Sequence, residues 1–408
     1  MISDTSTFFP VLLAAAAAPL ISAGATRLLP MIVVPIAVVE LALGAVIGPH
    51  GFRLSHVDPA LQVMGTLGLG FLFFFAGYEL DFKQMRGAPL RLAAVGWGIS
   101  LALAYSIAGV FAATGFVISG LLTGSAMSTT AIGTILPVLR DTDQLEGRFG
   151  PSMLAAGAVG ELGPVMIVTL LLSASASKVS QALILGIFIV ATIVAALVSS
   201  GAAGRAKGFL GESLNTSGQL PVRLTVVLVF ALVVLADSLG LDVILGAFAA
   251  GLMVRFVLHG RTNQRFESKL DAVGFGFLIP FFFIESGMNL DLSALTSSVE
   301  AILKVPLFVA CFFLVRGLPA LLLYTRELNL RDRLGMALFS STQLPLVVAI
   351  TTLGIEQGKM KQTTAVALVT AGVISVLVFP TAAIIVRRVG RPATSEEAAL
   401  PEPDLELA

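Results

Sequence analysis

Thirteen apolar stretches, each close to the length of a bilayer-spanning helix, divide this chain from end to end. They fall at about 8–26, 31–49, 60–79, 90–112, 116–139, 151–173, 180–201, 220–239, 240–258, 271–289, 301–324, 333–355 and 362–386. A helix rises about 1.5 Å per residue and the hydrocarbon core is about 30 Å thick, so roughly twenty apolar residues cross it. Hydrocarbon offers the backbone no hydrogen-bond partners, which leaves the helix as the form such stretches must take. The expectation is an all-α polytopic membrane protein with 13 transmembrane helices. The pair 220–258 is one long apolar run broken by LADSLGLD, where Asp237, Gly240 and Asp242 mark a turn.

Composition supports this reading and removes other classes. Charged residues make up 12% of the chain, against about 25% in soluble domains. The net charge is zero, so nothing points to nucleic acid as a partner. The single cysteine, Cys311, excludes an internal disulfide and a cysteine-based metal site. His50, His56 and His259 fall in or near loops without metal-ligand spacing. Nothing calls for a cofactor. The first segment lacks a basic leader and reads as a retained span rather than a cleaved signal.

Positive charge tests the span count, because loops alternate sides and a wrong count scrambles the bias. One side collects 19 Lys and Arg residues, among them Lys83, Arg86, Arg148, Arg255, Arg326 and Arg387; the other collects Arg53, Lys178, Lys304, Lys359 and Lys361. Arg316 falls inside a span. The split places the N-terminus outside and the C-terminus in the cytoplasm of a cell (inner) membrane.

The two halves of the chain resemble one another. ELALGAVIGP from Glu40 matches DVILGAFAAG from Asp242. FLFFFAGYELDF from Phe71 matches FFFIESGMNLDL from Phe281. SAMSTTAIG from Ser125 matches LFSSTQLPL from Leu338. Seven spans separate the members of each pair, so the copies face opposite ways. Two inverted six-helix repeats, about 8–173 and 220–386, joined by a linker helix at about 180–201, form an alternating-access transporter plan. Residues 1–390 are expected to form the transmembrane domain and 391–408 a polar, disordered cytoplasmic tail.

Polar residues gather at mid-depth of these spans. Glu161 lies near the centre of its span and is the sole charged residue between Arg148 and Lys178. Ser128 and Thr129, and Ser341 and Gln343, lie near the centres of the two Gly- and Pro-interrupted spans. Glu285 lies nearer the outer end of its span, Arg316 somewhat to the cytoplasmic side of centre, and Glu40 mid-span. Broken helices survive at membrane depth only where protein or a water-filled cavity satisfies the freed backbone, and their bared termini can coordinate ions. Small residues that simply allow close packing are the plainer reading of the same text. A buried carboxyl holds a proton unless a cation replaces it. Glu161 would then carry H⁺ or a monovalent cation, never both, with Ser128 and Thr129 completing the oxygen shell. Arg316 is expected to be a counter-charge to Glu161 or Glu285.

These segments carry a resemblance. ELALGAVIGPHGF, FFFAGYELDF, SAMSTTAIGTILPVLRD and IPFFFIESGMNLDL, in that order, are similar to motifs of the second cation:proton antiporter family, the Kef-type and Nap-type exchangers. The resemblance implies thirteen helices with crossed, discontinuous pairs, a homodimer, and a core domain that moves against a dimer domain. It implies exchange of Na⁺ or K⁺ for H⁺. The family's ion-site dipeptide, Asn-Asp or Gln-Asp, matches Gly160-Glu161, which keeps the carboxylate and leaves the first position empty. Its basic residue matches Arg316. One titratable carboxylate beside a fixed arginine implies electroneutral exchange. No C-terminal nucleotide-binding domain is expected after the last span. An ion-coupled symporter of a small organic solute, or a sensor without transport, stays open at this point.

Overall fold

The computed structural model describes residues 5–28, 34–79, 87–145, 147–172, 183–184, 186–188, 190–192, 194–195, 197, 213–214, 216–241, 243–258, 264–291, 293–296 and 299–388. Every regular element among them is helical: α1 (Thr5–Leu28), α2 (Ile36–Ile47), α3 (Pro59–Tyr78), α4 (Ala88–Ala113), α5 (Gly120–Met127), α6 (Ile132–Asp141), α7 (Phe149–Leu172), α8 (Leu220–Ser238) and α9 (Val243–Val257). There follow α10 (Gln264–Met288), α11 (Val299–Arg326), α12 (Leu330–Ser340), α13 (Pro345–Glu356) and α14 (Gln362–Arg388).

Among the described residues, nine helices are long and apolar enough to cross a membrane, with α12 and α13 counted as one. Expected spans depart from that length for identifiable reasons. The span at 31–49 becomes the twelve-residue α2, because Pro35 precedes its first turn and Gly48 ends it. The span at 240–258 becomes α9, which starts after Gly240 turns the chain at φ +69°. The span at 116–139 divides into α5 and α6. The expected linker helix at 180–201 lies largely outside the described residues. Leu20, Val63, Val110, Val227, Val234 and Leu322 are exposed on the outer faces, as a lipid-facing surface requires.

The helices pack as two groups. In the first, α1, α2, α3, α8, α9 and α10 pack on one another; in the second, α4 to α7 pack with α11 to α14. Between apolar helices in lipid, close approach supplies much of the packing energy, and small residues permit it. Gly77 of α3 lies against the Phe248 carbonyl of α9, and Gly251 of α9 lies against the Phe74 carbonyl of α3. A side chain at either position would drive the two backbones apart. Phe71, Phe74, Phe75 and Tyr78 fill the remaining volume as tilted, edge-on and stacked rings. The second group is tied at one end by Arg387. Its guanidinium pairs with Asp332 at 2.9 Å, lies 3.5 Å over the Phe149 ring and reaches Gln144.

Candidate functional site

Both mid-membrane interruptions expected from the Gly and Pro content are present, and they meet. The chain leaves helical form over 128–131, between α5 and α6, and over 341–344, between α12 and α13. Proline at the first position of α13 removes a donor that the break would have orphaned. The freed backbone groups find partners within the protein. The Thr130 N–H donates to the Gly160 carbonyl at 3.0 Å and the Ala131 N–H to the Thr342 carbonyl at 2.9 Å. The Gln343 N–H donates to the Ser375 hydroxyl at 3.0 Å.

Side chains complete the junction. Gln343 Nε2 donates to the Met127 carbonyl at 3.0 Å, and its Oε1 lies 3.1 Å from the Thr129 hydroxyl. The Thr130 hydroxyl donates to the Ser340 carbonyl at 2.7 Å, at the end of α12. The Ser128 hydroxyl donates back to the Ser125 carbonyl at 2.9 Å, and the Ser341 hydroxyl to the Ala337 carbonyl at 2.7 Å. Ser128, Thr129, Thr130, Ser341 and Gln343 are all buried.

Arg316 is 4% exposed. It sits in a wider π-helical turn, Phe313–Gly317, inside α11. Its Nε donates to the Thr130 hydroxyl at 2.8 Å, Nη1 to the Ser100 hydroxyl at 3.2 Å, and Nη2 to the Ala156 carbonyl at 3.1 Å. These are neutral oxygens. No ion pair among the described residues joins Arg316 to Glu161 or Glu285, which corrects the expectation of a carboxylate counter-charge. The electrostatic answer comes from the backbone. Thr130 links the guanidinium to the carbonyl end of α12 and follows the carbonyl end of α5, and helix C-termini carry partial negative charge.

Glu161 lies on α7 and is 6% exposed. Its carboxyl lies close to the backbone of Gly133. Gly133 is in the first turn of α6, so the acid faces the positive end of a half-helix. Its Oε2 is buried and has no hydrogen-bond partner. An unpaired buried acceptor costs about 1–3 kcal/mol, and more if it is charged. A proton on the carboxyl, or a cation against it, relieves that cost. Glu285 belongs to the other helix group, where its carboxyl lies against Gly65 of α3. Glu40 is buried on α2.

Sequence reasoning missed three residues of this junction. Thr130 stands beside Ser128 and Thr129 in the same interrupted stretch, and its hydroxyl makes the cross-helix bonds. Ser100 and Ser375 sit in unbroken apolar helices, and only the fold brings them to the site.

Comparison with known proteins agrees with this architecture. Residues 12–386 match the family described as sodium/hydrogen exchanger, transmembrane. The chain belongs to that family. It is 26% identical over 366 residues to YjbQ of Bacillus subtilis, provisionally named a Na⁺/H⁺ antiporter; the match covers 85% of this chain and 58% of that protein's length. The Na⁺/H⁺-K⁺ antiporter GerN of Bacillus cereus is 21% identical over 356 residues, covering 84% of this chain and 87% of GerN. The fold is similar to that of the sodium proton antiporter MjNhaP1 from Methanocaldococcus jannaschii. The TM-score is 0.62 at 17% identity, over 93% of this chain and 95% of that one.

Proposed function

We propose that this membrane protein exchanges a monovalent cation, Na⁺ or K⁺, for H⁺ by alternating access, with Glu161 as the shared binding group. The observation that carries the reading is the buried Glu161 carboxyl, one oxygen unpartnered, beside the α6 N-terminus where two interrupted helices meet. Such a group accepts one cation or one proton. Exchange then follows from competition, provided the site opens to each side in turn. Ser128 and Thr129 are the proposed oxygen ligands. Each hydroxyl spends its single proton within the junction and keeps lone pairs for a cation. Gln343 and Ser341 hold the second interruption in place.

The finer parts of the reading are a thirteen-helix plan of inverted repeats at about 8–173 and 220–386, joined by a helix at about 180–201. To these we add a homodimer, a C-terminus in the cytoplasm and electroneutral exchange. Supporting them are the segment matches and the two interruptions in the paired spans. The division into two helix groups supplies the bodies that would move. Arg316 keeps its charge throughout, and Glu161 is the sole acid of the junction among the described residues, which supports one proton per cation.

Everted membrane vesicles with a pH-sensitive dye test this. Adding Na⁺ or K⁺ to vesicles holding an imposed ΔpH should dissipate it, and Glu161→Gln should abolish the response. Because H⁺ competes for the same carboxyl, the cation concentration for half-maximal response should rise as pH falls. Full cation-driven proton movement in Glu161→Gln would overturn the assignment.

A further inference from the structure

Ser128 and Thr129 follow directly on α5, a helix of only eight residues, so contacts from outside that helix must fix where they point. We infer that Tyr105 of α4 is a positioning residue for the ion: through Ser125 it holds Ser128 in one place, so that the site at Glu161 takes Na⁺ in preference to K⁺. This inference rests on the exchange reading above and adds to it the choice of ion. The contacts run in one line. The Tyr105 and Ser125 hydroxyls lie 3.0 Å apart. The Ser125 carbonyl accepts from the Ser128 N–H at 3.1 Å and from the Ser128 hydroxyl at 2.9 Å. Ser125 and Ser128 are fully buried, so bulk water does not compete for these bonds.

The Tyr105 ring sits in a notch made by a missing side chain: a Cβ at Gly124 would lie 2.3 Å from ring Cδ1. One turn earlier, a Cβ at Gly120 would lie 2.8 Å from the Ala108 carbonyl oxygen of α4. The start of α5 is held separately. The Leu122 N–H donates to the Ser119 hydroxyl at 3.2 Å, and Lys304 of α11 donates to the Phe116 carbonyl at 2.9 Å in the loop ahead of α5. What Tyr105 adds is a hold on the last turn, next to the break at 128–131. A carboxylate attracts a cation in inverse proportion to their separation, which favours the smaller ion. That advantage lasts only while the neutral ligands cannot back away to admit the larger one, since cavity size and ligand field both enter Na⁺/K⁺ discrimination. Without the Tyr105 oxygen, the Ser125 hydroxyl can turn back onto its own helix, a bond that bends helices, and Ser128 gains room to move.

The test compares the KM for Na⁺ with the KM for K⁺ in dye-monitored exchange by everted vesicles. Wild type should show the lower KM for Na⁺. Tyr105→Phe keeps the ring in the Gly124 notch and removes one oxygen. It should lower the ratio of the K⁺ KM to the Na⁺ KM by about 2- to 10-fold, the equivalent of one neutral hydrogen bond. Ser125→Ala removes the other partner and should do the same. The double variant should lower the ratio no further, because both changes break one interaction. A general packing defect would move both KM values together and leave their ratio unchanged. An unchanged ratio, a wild type without Na⁺ preference, or a double variant whose effects add overturns the role of Tyr105. Persistence of cation-driven proton movement in Glu161→Gln would instead overturn the underlying reading.

Discussion

Replacing Thr130 with valine probes how the junction is held. Valine keeps the shape of threonine and removes one oxygen, and that oxygen has two partners: it accepts from Arg316 Nε at 2.8 Å and donates to the Ser340 carbonyl at 2.7 Å. Thr130, Ser340 and Arg316 are 1%, 2% and 4% exposed, so bulk water does not replace the lost bonds. A hydrogen bond to a charged group contributes about 1.5–3 kcal/mol, and a buried acceptor left unpaired costs about 1–3 kcal/mol. Thr130→Val should therefore lower stability by roughly 3–5 kcal/mol. Thr130→Ser keeps the hydroxyl and loses one methyl group, which should cost only about 1 kcal/mol. The assay is thermal unfolding of detergent-solubilised protein, compared at one heating rate because membrane proteins often unfold irreversibly. The expected order is wild type, then Ser slightly lower, then Val several degrees below both. A Val variant that melts with wild type, or above Ser, would refute the claim that this hydroxyl joins Arg316 to the second broken helix.

Two further outcomes follow from the same geometry. Gly160→Asn restores the amide-acid dipeptide of the family it resembles, but its Cβ would lie 2.8 Å from the Thr130 hydroxyl and 3.0 Å from Thr130 Cβ, besides meeting Arg316. It should destabilise by about 1–3 kcal/mol through overpacking, read by the same melting assay, and should slow dye-monitored exchange at least about tenfold, since misplacement near a site is costly. Trp97 is the single tryptophan, and Gly163, two residues beyond Glu161, lies against its ring. Its fluorescence should change on adding Na⁺ or K⁺ to purified protein, and titration of Glu161→Gln should give a flat trace.

What could be read from the chain beforehand divides by the kind of force involved. Hydropathy located the helices because lipid allows the backbone one solution, and each expected span that the structure describes in full corresponds to a helix or an interrupted pair. Pro345 marked one interruption directly, since proline cannot continue a helix without losing a donor. Gly120, Gly124 and Gly133 marked the other only as a weak place, because glycine permits a break without requiring one. Glu161 was legible because a lone carboxyl in a 20-residue apolar run has no bland surface position to occupy. Arg316 was legible as a buried charge, but its partners were not. The sequence offered only acids as candidates, whereas the protein surrounds the guanidinium with Thr130, Ser100 and the Ala156 carbonyl. Neutral oxygens leave no charge pattern in a sequence. In the proposed exchange that substitution has a consequence: an arginine satisfied by hydroxyls and helix ends leaves the Glu161 carboxyl available to H⁺ or a cation. Had Arg316 paired with Glu161, each cycle would have to break a buried ion pair, at about 3–5 kcal/mol. The neutral cage around the arginine and the orphaned oxygen of the glutamate are thus two sides of one arrangement, which in the proposed exchange fixes one charge so that its neighbour can change occupant.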